Sequence, residues 1–170
     1  MKKTFILDTV SLINLVERCS SINLIETGSS AEFQFHVVLE VKSEFLNKPT
    51  ELGVQHLQRY LKNNLITIID FDQAEVDITV LRKLEGLDLG EKISLLYWLQ
   101  NKEFQFLSDD RAVHEILNRE FGLKCQWTTN FLQELIYEHK ISYEDAYKIY
   151  HEMKRNGFWG IHDVNFKEEK

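Results

Sequence analysis

Short apolar runs recur along this chain, and between them the apolar positions change to helical spacing, three and four residues apart. The runs are "TFIL" (4–7), "FQFHVV" (33–38), "LITIIDF" (65–71), "FQFL" (104–107) and "KCQW" (124–127). Each is short, rich in aromatic or β-branched residues, and long enough for one buried strand but not for a helix. Helical patterns follow at 10–19, from Leu39 to the stop at Pro49, at 50–63, 73–84, 91–102 and 111–121. Two more lie in the last third of the chain, parted near Lys140 to Ser142. Strands alternating with helices imply parallel strands joined by crossovers, so the expected fold is α/β: a three-layer α/β/α sandwich around a central parallel sheet of about five strands.

Nothing in the chain marks an internal boundary. No repeat, low-complexity tract or Pro/Ser-rich linker interrupts it, and 170 residues suit one domain over 1–170. Its core is expected over 4–127, with C-terminal helices over 129–156 and a short frayed tail. Two cysteines, Cys19 and Cys125, fit buried free thiols in a reducing compartment. No apolar run approaches the roughly 20 residues of a membrane span, and the run in "MKKTFILD" is too short for a signal peptide. The expectation is a cytoplasmic protein with no membrane contact. A net charge of −7 argues against a broad basic footprint for nucleic acid, yet acids that hold metal ions would themselves lower that charge.

In open parallel sheets, ligands bind beyond the C-terminal ends of the strands, where the strand order reverses. Asp8 ends the first run, Glu40 follows the second, Asp109 and Asp110 end the fourth, and Glu91 opens a helix just after Gly90. Taken singly, Glu40 and Glu91 are explained better as helix caps, which stabilise by about 0.3–1 kcal/mol. Asp8 is less ordinary, because a carboxylate at the end of a buried strand needs a partner. Acids gathered at one sheet edge would repel one another, and a divalent cation resolves that repulsion. Carboxylates without nearby Cys or His favour Mg²⁺ or Mn²⁺ over zinc, and the chemistry that suits them is hydrolysis of a phosphodiester by activated water. Two other phosphoryl sites fail on order: there is no Asp-x-Asp after the first strand, and the acid pair follows the fourth strand instead of the first.

The segments "FILDTVSLINL" (5–15), "HVVLEVKSEF" (36–45), "LDLGEKISLLYWL" (87–99) and "FLSDDRAV" (106–113) resemble the acidic motifs of PIN domains, among them VapC-type ribonuclease toxins. The resemblance covers Thr4 to about Trp127, and "LDLGE" with "SDD" is its most specific part. It implies a PIN-like fold and a nuclease, usually acting on RNA, that holds Mg²⁺ or Mn²⁺. Asp8, Glu40, Glu91 and Asp110 would form the catalytic set. Asp8, Glu91, Asp109 and Asp110 are the metal candidates, with Ser108, Thr9, Glu44, Lys92 and Arg111 auxiliary. Glu44 competes with Glu40 one turn along the same helix, Asp88 reads as a turn residue, and Val10 departs from the small hydroxyl residue common there. Residues leaving a strand alternate in direction, so Asp110 is the expected direct ligand, with Asp109 assisting through water or holding the turn. The resemblance also raises RNA as substrate, an antitoxin protein as partner, and a homodimer. A PIN-like interaction module that cleaves nothing is the alternative. The six histidines show no metal spacing, and Trp98, Trp127 and Trp159 read as core or interface residues.

Overall fold

The computed structural model of the chain describes residues 3–47, 50–72, 76–157 and 164–168. Pro49, Trp159, His162 and most of "GFWG" lie outside them. Four strands form one sheet: β1 (Thr4–Leu7), β2 (Gln34–Val38), β3 (Ile66–Ile69) and β4 (Gln105–Leu107), in the order β3-β2-β1-β4. Every pairing is parallel, with Phe5 beside Phe35 and Gln105, and Phe35 beside Ile66. The expected fifth strand is reduced to a single bridge. Gln126 N–H donates to Phe106 O (2.8 Å) and Gln126 O accepts from Ser108 N–H (2.9 Å), and the chain then turns into a helix.

The described helices flanking the sheet are α1 (Thr9–Val16), α2 (Leu24–Ser30), α3 (Leu39–Asn47), α4 (Glu51–Lys62), α5 (Ile78–Lys83), α6 (Leu89–Gln100), α7 (Arg111–Ile116), α8 (Thr128–Tyr137) and α9 (Tyr143–Arg155). A π-helical turn, Leu117–Phe121, continues α7. The sequence pattern missed α2, whose start is set by an Asn23 cap on Glu26 N–H and whose seven residues are too few to display a period. It also overestimated α5, which starts only after Asp77 caps Thr79 N–H.

Packing explains why the strands sit where they do. Phe5, Phe33, Phe35 and Phe131 form one ring cluster, with centroids 5.2–6.1 Å apart, that joins β1 and β2 to α8. Gly28 on α2 closes over it, because a Cβ there would lie 2.6 Å from the Phe35 ring. Trp98 stacks on Phe106 and donates its indole N–H to Phe104 O (2.9 Å), which makes it a core residue. Residues 164–168 return to the body instead of fraying. Phe166 packs on Tyr147 and Tyr150, and Lys167 exchanges two hydrogen bonds with the Gln133 side chain.

The consequence for function lies in the strand order. From β1 the chain moves to β2 and β3 on one side, then returns to β4 on the other. The reversal therefore falls between β1 and β4, where Asp8 and Ser108-Asp109-Asp110 leave the sheet.

Candidate active site

Asp8 has no accessible surface. It caps α1, accepting Ser11 N–H at 2.8 Å through Oδ1, and its Oδ2 accepts the Ser108 hydroxyl across the β1–β4 seam. Ser11 Oγ reaches over the same seam to Leu107 O (3.0 Å). Burial pushes the Asp8 carboxyl up to about 7, the Asp109 charge adds to that, and the bonds from Ser108 and Ser11 oppose it.

The two acids after Ser108 have different surroundings. Asp109 is buried and fully engaged. Its Oδ1 accepts Thr128 N–H (2.8 Å), and its Oδ2 accepts Asn14 Nδ2–H (2.7 Å) and the Thr128 hydroxyl. Arg18 in turn donates to Asn14 Oδ1 (2.8 Å). Burial raises the Asp109 carboxyl, while the bonds from Thr128 and Asn14 and the charge of Arg18 oppose the rise. The residue expected among the metal candidates is thus committed to tying α1 and α8 to the strand exit. Asp110 caps α7 by accepting Ala112 N–H at 2.6 Å, and its charge acts on Glu91.

Glu91 is the third residue of α6, not its first. Asp88 is the N-cap, and Glu91 returns the bond by accepting Asp88 N–H (3.2 Å), a reciprocal capping box. Burial raises its carboxyl to about 8, and the charges of Asp88, Asp110 and Asp8 push the same way. Glu91 therefore shares one electrostatic neighbourhood with Asp8 and Asp110.

On α3 the order of preference is reversed. Glu44, not Glu40, contacts the other motifs: its Oε2 accepts the Thr9 hydroxyl, beside Asp8, and its Oε1 accepts Gly90 N–H (2.8 Å), beside Glu91. Gly90 leaves the space for that approach, because a Cβ would lie 2.5 Å from Glu44 Oε2. Glu40 sits in the first turn of α3, where its buried Oε2 has no hydrogen-bond partner among the described residues. A helix that starts at the strand exit carries its second turn across the seam between α1 and α6. Residue order along α3 could not reveal that direction.

Two residues near the site were not singled out by their spacing. His114 stacks on Trp127 with centroids 3.5 Å apart and planes 8° from parallel, and its Nε2 is 2.8 Å from Ser108 O. A carbonyl only accepts, so Nε2 carries the proton, and burial lowers the His114 pKa. Burial raises the Cys125 thiol pKa, and the charges of Asp8 and Asp109 lie close enough to push the same way. Both cysteines are free. Of the auxiliary residues, Ser108 and Thr9 bond to site carboxylates, whereas Arg111 is exposed and pairs with Glu115 (2.7 Å). Lys92 is half-buried on α6.

Residues 4–165 match a family model described as PIN domain. This chain is a PIN-domain protein. No curated protein sequence matches it. Among solved structures, it is similar to a PilT N-terminus domain protein from the hyperthermophilic archaeon Sulfolobus solfataricus P2. The two share 10% identity and a TM-score of 0.51, over 78% of this chain and 92% of that one. At that identity the likeness concerns the fold. PIN domains are generally nucleases and usually use divalent metal ions.

The donor set of this PIN domain is compatible with such an ion. Among the described residues no three His, Cys, Asp or Glu side chains are gathered into a metal-gripping cluster. Magnesium does not require one, since it commonly takes one or two carboxylates and keeps its waters. Asp8, Glu44, Glu91 and Asp110 come from four separate segments, offer oxygen only, and form no ion pair among the described residues.

Proposed function

We propose that this PIN-domain protein is a metal-dependent ribonuclease that hydrolyses phosphodiester bonds with Asp8, Glu44, Glu91 and Asp110 as its working carboxylates. The observation that carries the reading is that Asp8 and Asp110 act on Glu91 while Glu44 bonds to Thr9 and Gly90 beside two of them, with no Lys or Arg salt-bridged to any of the four among the described residues. Mg²⁺ or Mn²⁺, when bound there, would supply Lewis acidity and an activated water. One or two of Asp8, Glu91 and Asp110 would hold it directly, with its waters reaching the rest. The chain's own contribution is placement. Ser11 N–H and the Ser108 hydroxyl fix both Asp8 oxygens, the capping box fixes Glu91, and Glu44 pins α3 to the starts of α1 and α6. A Glu91 carboxyl at about 8 holds its proton at neutral pH until a cation lies opposite, so loading should release protons.

RNA as the substrate, action in the cytoplasm, an antitoxin polypeptide covering the acidic edge, and pairing with a second copy of the chain belong to the same proposal. Among the described residues, no helix is long and apolar enough to cross a membrane. A silent interaction module is the second reading, favoured by one observation: Asp8 is wholly buried, with both oxygens already bonded. An Mn²⁺-dependent assay on mixed RNA separates the two. Cleavage abolished by Asp8→Asn and by Glu91→Gln supports the nuclease. Cleavage that survives both substitutions removes the proposed site. Absence of cleavage together with absence of metal-binding heat in calorimetry selects the module.

A further inference from the structure

Along α9, Lys148, His151, Lys154 and Arg155 line, among the described residues, a surface hollow of about 590 Å³ with no acid in its lining. In a chain of net charge −7 such a run of basic side chains is out of character. Of the acids on α9, Glu152 is engaged elsewhere and Asp145 pairs with Lys148. Glu152 turns to the 19–21 loop, accepting from Ser20 N–H (2.8 Å), the Ser20 hydroxyl (2.6 Å) and Ser21 N–H (3.2 Å). Asp145 closes the Ser142 cap and reaches Lys148 only at 3.4 Å, with both groups exposed. Lys154 lies over the Tyr150 ring, 5.2 Å from its centroid, which fixes its ammonium at the hollow's edge.

The end of α9 is tied to a support of the carboxylate site. At the C-terminal end of α9, Asn156 Nδ2–H donates to Arg18 O (3.0 Å), Arg18 donates to Asn14, and Asn14 holds Asp109 at the β4 exit. Lys148 to Arg155 is about two helical turns, roughly 10 Å, long enough to meet more than one phosphate of an extended strand. We propose that this face of α9 is a docking track for the phosphate backbone of single-stranded RNA. The inference rests on the ribonuclease reading for the identity of its ligand. The track supplies cations from an element that carries none of the working carboxylates. Because it grips phosphates, it adds affinity without base preference.

The test uses the full chain with EDTA present and a fluorescent single-stranded RNA of about a dozen nucleotides, read by anisotropy across a salt series. Removing three phosphate contacts should flatten the log–log salt dependence by about 2 and weaken binding about 10- to 100-fold near 0.1 M salt. The Lys148→Gln/Lys154→Gln/Arg155→Gln variant should show this change, and the surface-exposed pair Lys148→Gln/Arg155→Gln a smaller one, each with a wild-type circular dichroism spectrum. If the wild type binds RNA through this track yet cuts nothing in Mn²⁺, the track stands and the ribonuclease reading falls. Unchanged affinity and slope in both variants overturn the track even if the protein cleaves RNA. A wild type that binds polyglutamate and not RNA overturns it as well, and assigns the face to an acidic protein.

Discussion

Replacing Asp8 by Asn should stabilise the metal-free protein, by an amount that grows with pH. The carboxyl titrates at about 7 in the folded protein and near 3.8 when unfolded. The folded state therefore holds its proton more tightly, and stability declines as pH rises through this window. At pH 5 the unfolded chain gains about 1.6 kcal/mol by ionising Asp8, and the folded chain gains almost nothing. At pH 7.5 the unfolded gain is about 5 kcal/mol and the folded gain about 0.8, leaving a deficit on the order of 4 kcal/mol. The Asp8→Asn variant would carry no such deficit. Its amide oxygen still accepts Ser11 N–H, and its amide nitrogen faces the Ser108 hydroxyl, which can accept. Thermal melts in EDTA should place the variant about 8–15 °C above wild type at pH 7.5, with the gap closing toward pH 4. Saturating Mn²⁺ should narrow the gap at neutral pH by stabilising wild type alone. Parallel pH–stability curves for the two proteins would refute the claim that a buried, ionisable Asp8 strains this fold.

Three further substitutions probe separate parts of the structure. Asn14→Ala takes one donor from the buried Asp109 carboxylate and should cost about 2–3 kcal/mol in urea titrations, far more than an exposed Asn→Ala. Gly90→Ala displaces the flexible end of Glu44, so the melting temperature should move little while Mn²⁺-dependent cleavage falls at least about tenfold; unchanged cleavage would remove Glu44 from the working set. Desolvation raises the Glu152 carboxyl, but the combined hydrogen bonds from Ser20 and Ser21 outweigh it and hold the group down at about 2. Glu152 therefore stabilises above the ordinary carboxylate range and loses that contribution as pH falls through the folded value. Glu152→Gln should lower neutral-pH stability by about 1 kcal/mol or less after solvent screening, seen as a lower melting temperature, and have no effect in strong acid.

Much of the fold was legible because each strand announces itself. "TFIL", "FQFHVV" and "LITIIDF" contain β1, β2 and β3, and "FQFL" contains β4, in the alternation that makes a parallel sheet. "KCQW" failed because residue type cannot say whether a neighbour has room to pair, and only Gln126 does. At the site, local position located the acids but not their directions. The side chains of Glu40 and Glu44 lie on one helix face, and only the packing of α3 between α1 and α6 distinguishes them. Asp109 and Asp110 are adjacent in sequence, yet Asp109 is claimed by Asn14 and Thr128, which lie 95 and 19 residues away. Thr128 opens a helix at the exit of the last apolar run, the same kind of position that drew attention to the acids. His114 gave no signal, since its partners Ser108 and Trp127 are brought together only by the end of the sheet.

The Asp109 clasp also has a consequence for synthesis. Asp8, Glu44 and Glu91 are translated early, and Asp109 follows within the first two thirds of the chain. Two of the three hydrogen bonds to Asp109 come from Thr128, and the helix that carries Thr128 completes the Phe5–Phe131 contact. While those residues are still inside the ribosome, the β4 exit holds a carboxylate with one donor and no covering helix. The acidic edge therefore takes its final shape only after Thr128 and its helix have emerged, later than every one of the working carboxylates.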